Sequence, residues 1–369
     1  MIDPHVHTRD RDQSYKETIE HGLNVAYRAG LSGIYAMPNT SPPVAEEGDV
    51  QEVLGIAKAA NSRVFYGAFI GVTPDTEQVK RATASHRRHF IPEVEQGSWR
   101  QVGTVGLKMF AGRSVGDLTV AEEDQQKAVY RTLAKEGFEG ALVVHCEKEE
   151  YINSRKWNPD HPRTHPLARP MIAEINSIEN QIAFAKEAGY TGVLHIAHVS
   201  APTSVTVIES AKDAGMNITC ELTSHHCILS TKSIPNDRSG LIYKVNPPIR
   251  NQLAQKNMIG LLRSGAIDCV ASDHAPHIMD EKTGVAKNAE GEPLYMSGFP
   301  GLPNWPHFKR YLELNGFSEV DIQRVTHDNV ERIFGIRIPP IEFSEEPDLD
   351  LHGEYPVDVW ADFREGLYA

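Results

Sequence analysis

Two histidines one residue apart, His5 and His7, lie in the opening stretch Ile2-Asp3-Pro4-His5-Val6-His7-Thr8-Arg9. Side chains alternate faces along a β-strand, so both imidazoles would project from one face and could grip a single metal ion. A pair this close also arises by chance in a chain with 17 histidines, so it gains meaning only if other strands deliver matching ligands. Later candidates are Lys108, His145, His198 and Asp273, each within or at the end of an apolar run. A lone histidine in such a run is often a hydrogen-bonded core residue, and Asp273 could simply cap the following loop; its neighbours Ser272, His274 and His277 favour a functional role. Lys108, between Val105-Gly106-Leu107 and Met109-Phe110, reads as buried, where an unpaired ammonium is costly. Carbamylation by CO2 would turn it into a carboxylate able to bridge two cations. His195 and His198 differ by an odd number of positions, so a regular strand would turn them to opposite faces. His198, at the strand end, is then the expected ligand and His195 a core residue. Together these groups are what a two-zinc hydrolytic centre needs, with two ions sharing one hydroxide at neutral pH. Asp273 would carry the proton to a leaving nitrogen, as general base and then acid.

These residues can meet only if strands bring them to one place. After the strand bearing His5, apolar, β-branched runs at 33–37, 64–72, 105–110, 141–145, 192–198, 217–221 and 267–272 read as buried strands. Helical patterns at 15–29, 50–60, 121–136, 168–188, 203–214 and 252–264 separate most of them, several stopped by glycine. The polar segment 73–100 is indistinct. Eight β-α units predict an α/β fold, a TIM-type (βα)8 barrel whose active face lies at the C-terminal strand ends. An open doubly wound sheet competes, but the Gly-rich phosphate turn it usually carries after its first strand is missing. The loop 276–303 is too long for a mere connection and is expected to act as a lid or binding loop; residues 113–117 are a second candidate lid. Helices are expected at 305–314 and 319–334. The barrel is assigned to residues 1–335, and an acidic, Pro-containing tail with one strand-like piece at 356–360 to residues 336–369.

The chain has 369 residues, 24% of them charged and 40% hydrophobic, enough for a sizeable core. Its net charge of −13, without a Lys/Arg-rich block, argues against a nucleic-acid partner. No apolar run approaches the roughly 20 residues of a membrane span, and the start of the chain lacks a basic-then-apolar signal segment, so a cytoplasmic protein is expected. Cys146, Cys220, Cys227 and Cys269 are too scattered for a zinc knuckle or disulfide scaffold and read as buried thiols.

The motifs Asp3-x-His5-x-His7-x-Arg9, Met37-Pro38-Asn39-Thr40, Gly106-Leu107-Lys108-Met109, Val144-His145-Cys146-Glu147, His195-Ile196-Ala197-His198, Cys220-Glu221-Leu222-Thr223-Ser224-His225-His226, Asn246-Pro247-Pro248-Ile249-Arg250, Ser272-Asp273-His274-Ala275-Pro276-His277 and Gly298-Phe299-Pro300-Gly301-Leu302 follow one another along residues 1–335. In type and order they resemble dihydroorotases of the amidohydrolase superfamily. The resemblance implies reversible cyclisation of N-carbamoyl-L-aspartate to L-dihydroorotate in pyrimidine synthesis. It implies that His5, His7 and Asp273 hold one zinc, that His145 and His198 hold the other, and that carboxylated Lys108 and a hydroxide bridge them. Arg9, Asn39 and His277 match positions that hold the substrate carboxylate, and Asn246 a position that contacts the ring. A guanidinium two residues beyond the histidine pair suits that task, since its fork matches a carboxylate. A homodimer, and association with aspartate transcarbamoylase, are the partners implied.

The sequence also departs from the family pattern. Asp10-Arg11-Asp12-Gln13 replaces a Glu-Pro-Gly turn, Ser224 stands where proline is customary, and Pro303 replaces an acidic residue. The β-sandwich portion that usually precedes the His-x-His strand is expected to be missing or vestigial, and the piece at 356–360 resembles the strand that returns to it. The rival readings are another cyclic amidase of hydantoinase or allantoinase type, and a catalytically silent subunit scaffolding a transcarbamoylase.

Overall fold

In the computed structural model, which describes residues 1–95, 98, 101–112 and 118–369, eight parallel strands run in chain order around a barrel. They are β1 (Ile2–Val6), β2 (Gly33–Ala36), β3 (Phe65–Gly71), β4 (Val102–Ala111), β5 (Ala141–Cys146), β6 (Val193–Ile196), β7 (Ile218–Thr223) and β8 (Cys269–Ala271). All eight expected strands form: β2–β8 are mainly apolar runs buried on both faces, and in β1 the buried polar side chains of Asp3 and His5 find partners. The sheet closes where β1 meets the chain just beyond β8: Val6 bridges to His274, and the His7 amide donates to the His274 carbonyl at 2.6 Å. The buried Asp3 carboxylate fastens the same seam, accepting from the Ser272 amide at 3.1 Å and the Trp305 indole at 2.7 Å.

Between sheet and helices lies one apolar layer, built on residues such as Val6, Ile34, Leu107, Leu142, Leu194 and Leu222. A second cluster fills the barrel interior, with Tyr35, Phe65, Phe69, Val105 and Val143 packed against Phe334, Ile336 and Ile338. Ile2, Phe65, Ala141 and Cys269 in this cluster are strand starts, so the segment around Phe334 plugs that end and leaves the other end open to ligand.

Helix positions follow local chemistry. Thr18 and Asn251 cap the helices Ile19–Arg28 and Gln252–Ser264, and Gly189 and Gly265, at φ 68° and 86°, close Met171–Ala188 and Gln252–Ser264. Three expectations need correction. The segment 73–100 contains the helix Thr76–His89, whose buried face is mixed, with Val79 and Ala82 beside Thr83, Ser85 and His86, so apolar periodicity is weak. The helix expected over 319–334 is interrupted by a π-helical turn, Arg324–Asp328, between Glu319–Gln323 and Asn329–Phe334. Residues 356–360 form no strand: Val357, Val359 and Trp360 are buried against Leu229, Ile234, Val245, Ile249 and Phe299 in irregular conformation, and the helix Ala361–Tyr368 follows. Burial by loops, rather than sheet pairing, explains their alternating apolar pattern. All four cysteines are free and buried, and no helix among the described residues is long and apolar enough to cross a membrane.

Candidate active site

At the open end of the barrel the expected residues converge on a cleft of about 230 Å3, lined by His5, His7, Arg9, Asn39, Lys108, His145, His198, Asn246, Asp273 and His277. His5 lies in β1 and His7 just past it, their ring centroids 5.2 Å apart; His5 is 5.3 Å from His198, which is 4.8 Å from His145. Asp273 Oδ1 sits 3.0 Å from His7 Nε2 and 3.4 Å from His5 Nε2. On the other side, His145 Nδ1 and His198 Nε2 point at each other across 2.9 Å.

The second nitrogen of the His5 and His7 rings is held. His5 Nδ1 bonds to Glu221, and His7 Nδ1 to Asn39 Oδ1 at 2.6 Å, which leaves both Nε2 atoms facing Asp273. Burial brings the His7 imidazole down to about 4 against the opposing pull of Asp273, so its ring is neutral at pH 7 and its lone pair is available. Burial raises the Asp273 carboxyl, but His5 and His7 outweigh that and hold it below the usual carboxylate range.

Lys108 enters from β4 with no exposed surface, and its Nζ has no hydrogen-bond partner. Burial lowers its ammonium to about 8, opposed by Glu221 and Asp273. Nearby, His198 Nδ1 is likewise buried without a partner. Converging imidazole nitrogens, a carboxylate and an unpartnered lysine are a donor set that fits divalent cations; His5, His7 and Asp273 offer ligand atoms within 4.8 Å of one another.

Beside this cluster, Arg9 donates from Nε to the Pro276 carbonyl at 3.2 Å and from Nη2 to His277 Nε2 at 3.1 Å, while His277 Nδ1 donates to Glu281 at 2.9 Å. Arg9 is therefore oriented by groups that leave its charge toward the cleft. Asn246 also lines the cleft, its Oδ1 buried and unpartnered.

One expectation about direction fails. His195 also points into the barrel: its Nε2 is 3.2 Å from Glu221 Oε2 and its ring 5.6 Å from Phe334. The parity argument assumed a regular strand through residue 198, but β6 ends at Ile196 and His198 adopts φ 36°, so both rings reach the interior at different depths. His195 is still a core residue, as expected, and His198 still stands in the cleft.

Three residues escaped sequence reasoning. Glu221, fully buried in β7, accepts from the His5 ring and from the His198 amide at 3.1 Å, and touches His195; a carboxylate inside an apolar strand was the available signal. Glu281 accepts from His277 and from Tyr15 at 2.6 Å and pairs with Lys16 at 3.0 Å. Lys244 lines the cleft and, among the described residues, pairs with no carboxylate; its Nζ donates to the Tyr295 carbonyl at 2.5 Å and to Ser297 at 3.1 Å. The loop 276–303 thus forms a wall of the cleft through Tyr295–Gly298, pinned also by Lys282, whose Nζ donates to the carbonyls of Lys244, Met296 and Gly298. The other candidate lid, 113–117, lies outside the described residues.

Comparison with known proteins adds a family. The dihydroorotase of Staphylococcus epidermidis strain RP62A is 30% identical over 316 residues, spanning 83% of this chain and 68% of that protein. The chain belongs to the dihydroorotase family. A second dihydroorotase, from Staphylococcus aureus strain N315, is 30% identical over 317 residues with the same coverage. Similar solved structures are the L-hydantoinase (dihydropyrimidinase) of Arthrobacter aurescens, at TM-score 0.76 and 23% identity over 90% of this chain and 70% of that one, and the D-hydantoinase (dihydropyrimidinase) of Thermus sp., at 0.73 and 20% over 94% and 73%. They share the barrel. No family model matches the chain. Membership of the dihydroorotase family makes this protein a cyclic amidohydrolase, and its expected site residues, Lys108 and Asp273 included, are brought together in one cleft.

Proposed function

We propose that this dihydroorotase family member interconverts N-carbamoyl-L-aspartate and L-dihydroorotate with the help of two zinc ions. The observation that carries the reading is the Arg9–His277 pair, a carboxylate receptor built directly beside a hydrolytic donor cluster. Neutral cyclic amides have no use for it; dihydroorotate carries a carboxylate on its ring.

His5, His7 and Asp273 would hold one ion and His145 and His198 the other, with Lys108 between them. The neutral Lys108 amine attacks CO2, forming a carbamate and releasing a proton, and thereby replaces a costly buried ammonium by an anion facing cations. When bound, the ions polarise the amide carbonyl and make hydroxide available at neutral pH. Arg9, His277 and Asn39 seat the carboxylate, and Asn246 meets the ring. Asp273 takes the proton of the attacking water and hands it to the ring nitrogen as the amide bond breaks; ring closure is the reverse. The reading places the enzyme in pyrimidine synthesis, downstream of an aspartate transcarbamoylase.

Turnover of dihydroorotate far above hydantoin and allantoin, by protein containing about two zinc per chain, is the expected result; preference for hydantoin overturns the substrate, and full activity without a divalent ion overturns the centre. Arg9→Ala is expected to raise KM for dihydroorotate about 10–100-fold, the worth of a hydrogen bond to a charged group, with a smaller change in kcat. An unchanged KM would remove Arg9 from the binding site. Glu221→Gln weakens the support behind His5 and is expected to cost about 10–100-fold in metal affinity or turnover, checked by titrating zinc into metal-stripped protein.

A further inference from the structure

The tail beyond the barrel reaches the catalytic segment from two sides. Tyr355 donates its hydroxyl to Glu17 Oε1 at 2.5 Å, and the same oxygen lies 2.9 Å from His274 Nε2, all three residues being buried. His274 Nδ1 accepts from the amides of Gly301 and Leu302 at 3.0 and 3.2 Å, so its Nε2 carries the proton given to Glu17. The Tyr355 ring packs edge-on against the His274 ring at 5.1 Å. On the far side, the Trp360 indole donates to the Pro300 carbonyl at 2.9 Å and packs on Phe299, whose carbonyl accepts from the Ala275 amide at 3.0 Å. Glycine makes that approach possible: a Cβ on Gly298 would lie 2.6 Å from Ala275 Cβ, and one on Gly301 2.7 Å from Ser272 Cβ.

What these contacts hold is the segment 272–275. Asp273 within it adopts φ 50°, a left-handed conformation that persists only where its surroundings enforce it. The His274 carbonyl receives the His7 amide, so a shift of His274 moves both Asp273 and His7.

We propose that the tail is a positioning element of the reacting centre, with Tyr355 acting through Glu17 and His274 to fix Asp273. The inference rests on the role given to Asp273 above. Tyr355, Glu17 and His274 are positioning residues, and none of them lines the cleft. The tail also carries a second attachment away from the relay: the Tyr368 hydroxyl lies 3.0 Å from His307 Nδ1, on the helix Trp305–Leu314.

That separation supplies the test, made on the full chain reconstituted with cobalt. Tyr355→Phe keeps the ring and removes the hydroxyl; Tyr368→Phe does the same at the other attachment, loosening the tail and leaving the relay intact. Tyr355→Phe is expected to lower kcat for dihydroorotate at least fivefold with KM within twofold, and to shift the visible absorption of the cobalt-loaded protein, while Tyr368→Phe changes neither. Either effect confined to Tyr355→Phe supports the relay. If the wild type does not turn over dihydroorotate, the cobalt spectra decide the question, because they do not depend on the substrate. A Tyr355→Phe protein with wild-type kcat and spectrum overturns the proposal, and so does a loss that Tyr368→Phe reproduces, which would give the tail a general stabilising role.

Discussion

Asp273→Asn is expected to lower kcat by about 10²–10⁴-fold, the range that a positioned acid-base group contributes. Asparagine is the informative replacement because Asp273 sits at φ 50°, a conformation that asparagine tolerates better than most residues. The backbone of the segment should therefore survive, and the loss can be assigned to the carboxylate. His7 and His5 both face Oδ1, so the substitution also weakens whatever cation these three share. Zinc content and kcat measured on the same sample separate the two effects. Metal retained with turnover lost identifies the proton carrier; metal retained with near-normal turnover removes Asp273 from that role.

The second large effect is expected at Lys108, and it has two signs. An ammonium with no exposed surface and no hydrogen-bond partner opposes folding, so Lys108→Met, similar in length and apolar, should leave the melting temperature of metal-free protein unchanged or higher. Activity should nevertheless fall to background. A residue that costs stability while being required for turnover is kept for its chemistry. The wild type offers an independent measurement: metal-stripped protein reconstituted with zinc should regain activity in bicarbonate and much less in CO2-free buffer, because the carbamate needs CO2. Equal recovery in both, or a markedly lower melting temperature for Lys108→Met, would argue that this lysine is structural.

The barrel was legible because parallel strands buried on both faces announce themselves as apolar runs, and the seven runs after β1 each overlap one of β2–β8, with ends that differ by up to three residues. The cleft residues were legible for a related reason: a polar side chain at the end of such a run has little else to do. What escaped is whatever depends on the path of the chain after a strand ends. The depth of His195 follows from the turn at His198, which parity cannot see. Glu221 was visible as a buried acid, but its partners lie 216 and 26 residues away, on other strands. Helix Thr76–His89 hid behind a polar composition, and the buried valines at 357 and 359 imitated a strand because loops, like sheets, can bury alternate residues.

The seam between β1 and the end of β8 has a consequence for assembly. Asp3 grips Ser272, and His7 grips His274, across some 267–269 residues of intervening chain. Contacts so far apart in sequence carry a loop-closure cost that the local strand pairings do not. Before that closure, His5 and His7 stand apart from Asp273 and from the His145–His198 pair, and neither pair alone makes the full donor cluster. Closure of the barrel and completion of the donor cluster His5, His7 and Asp273 are thereby one and the same event.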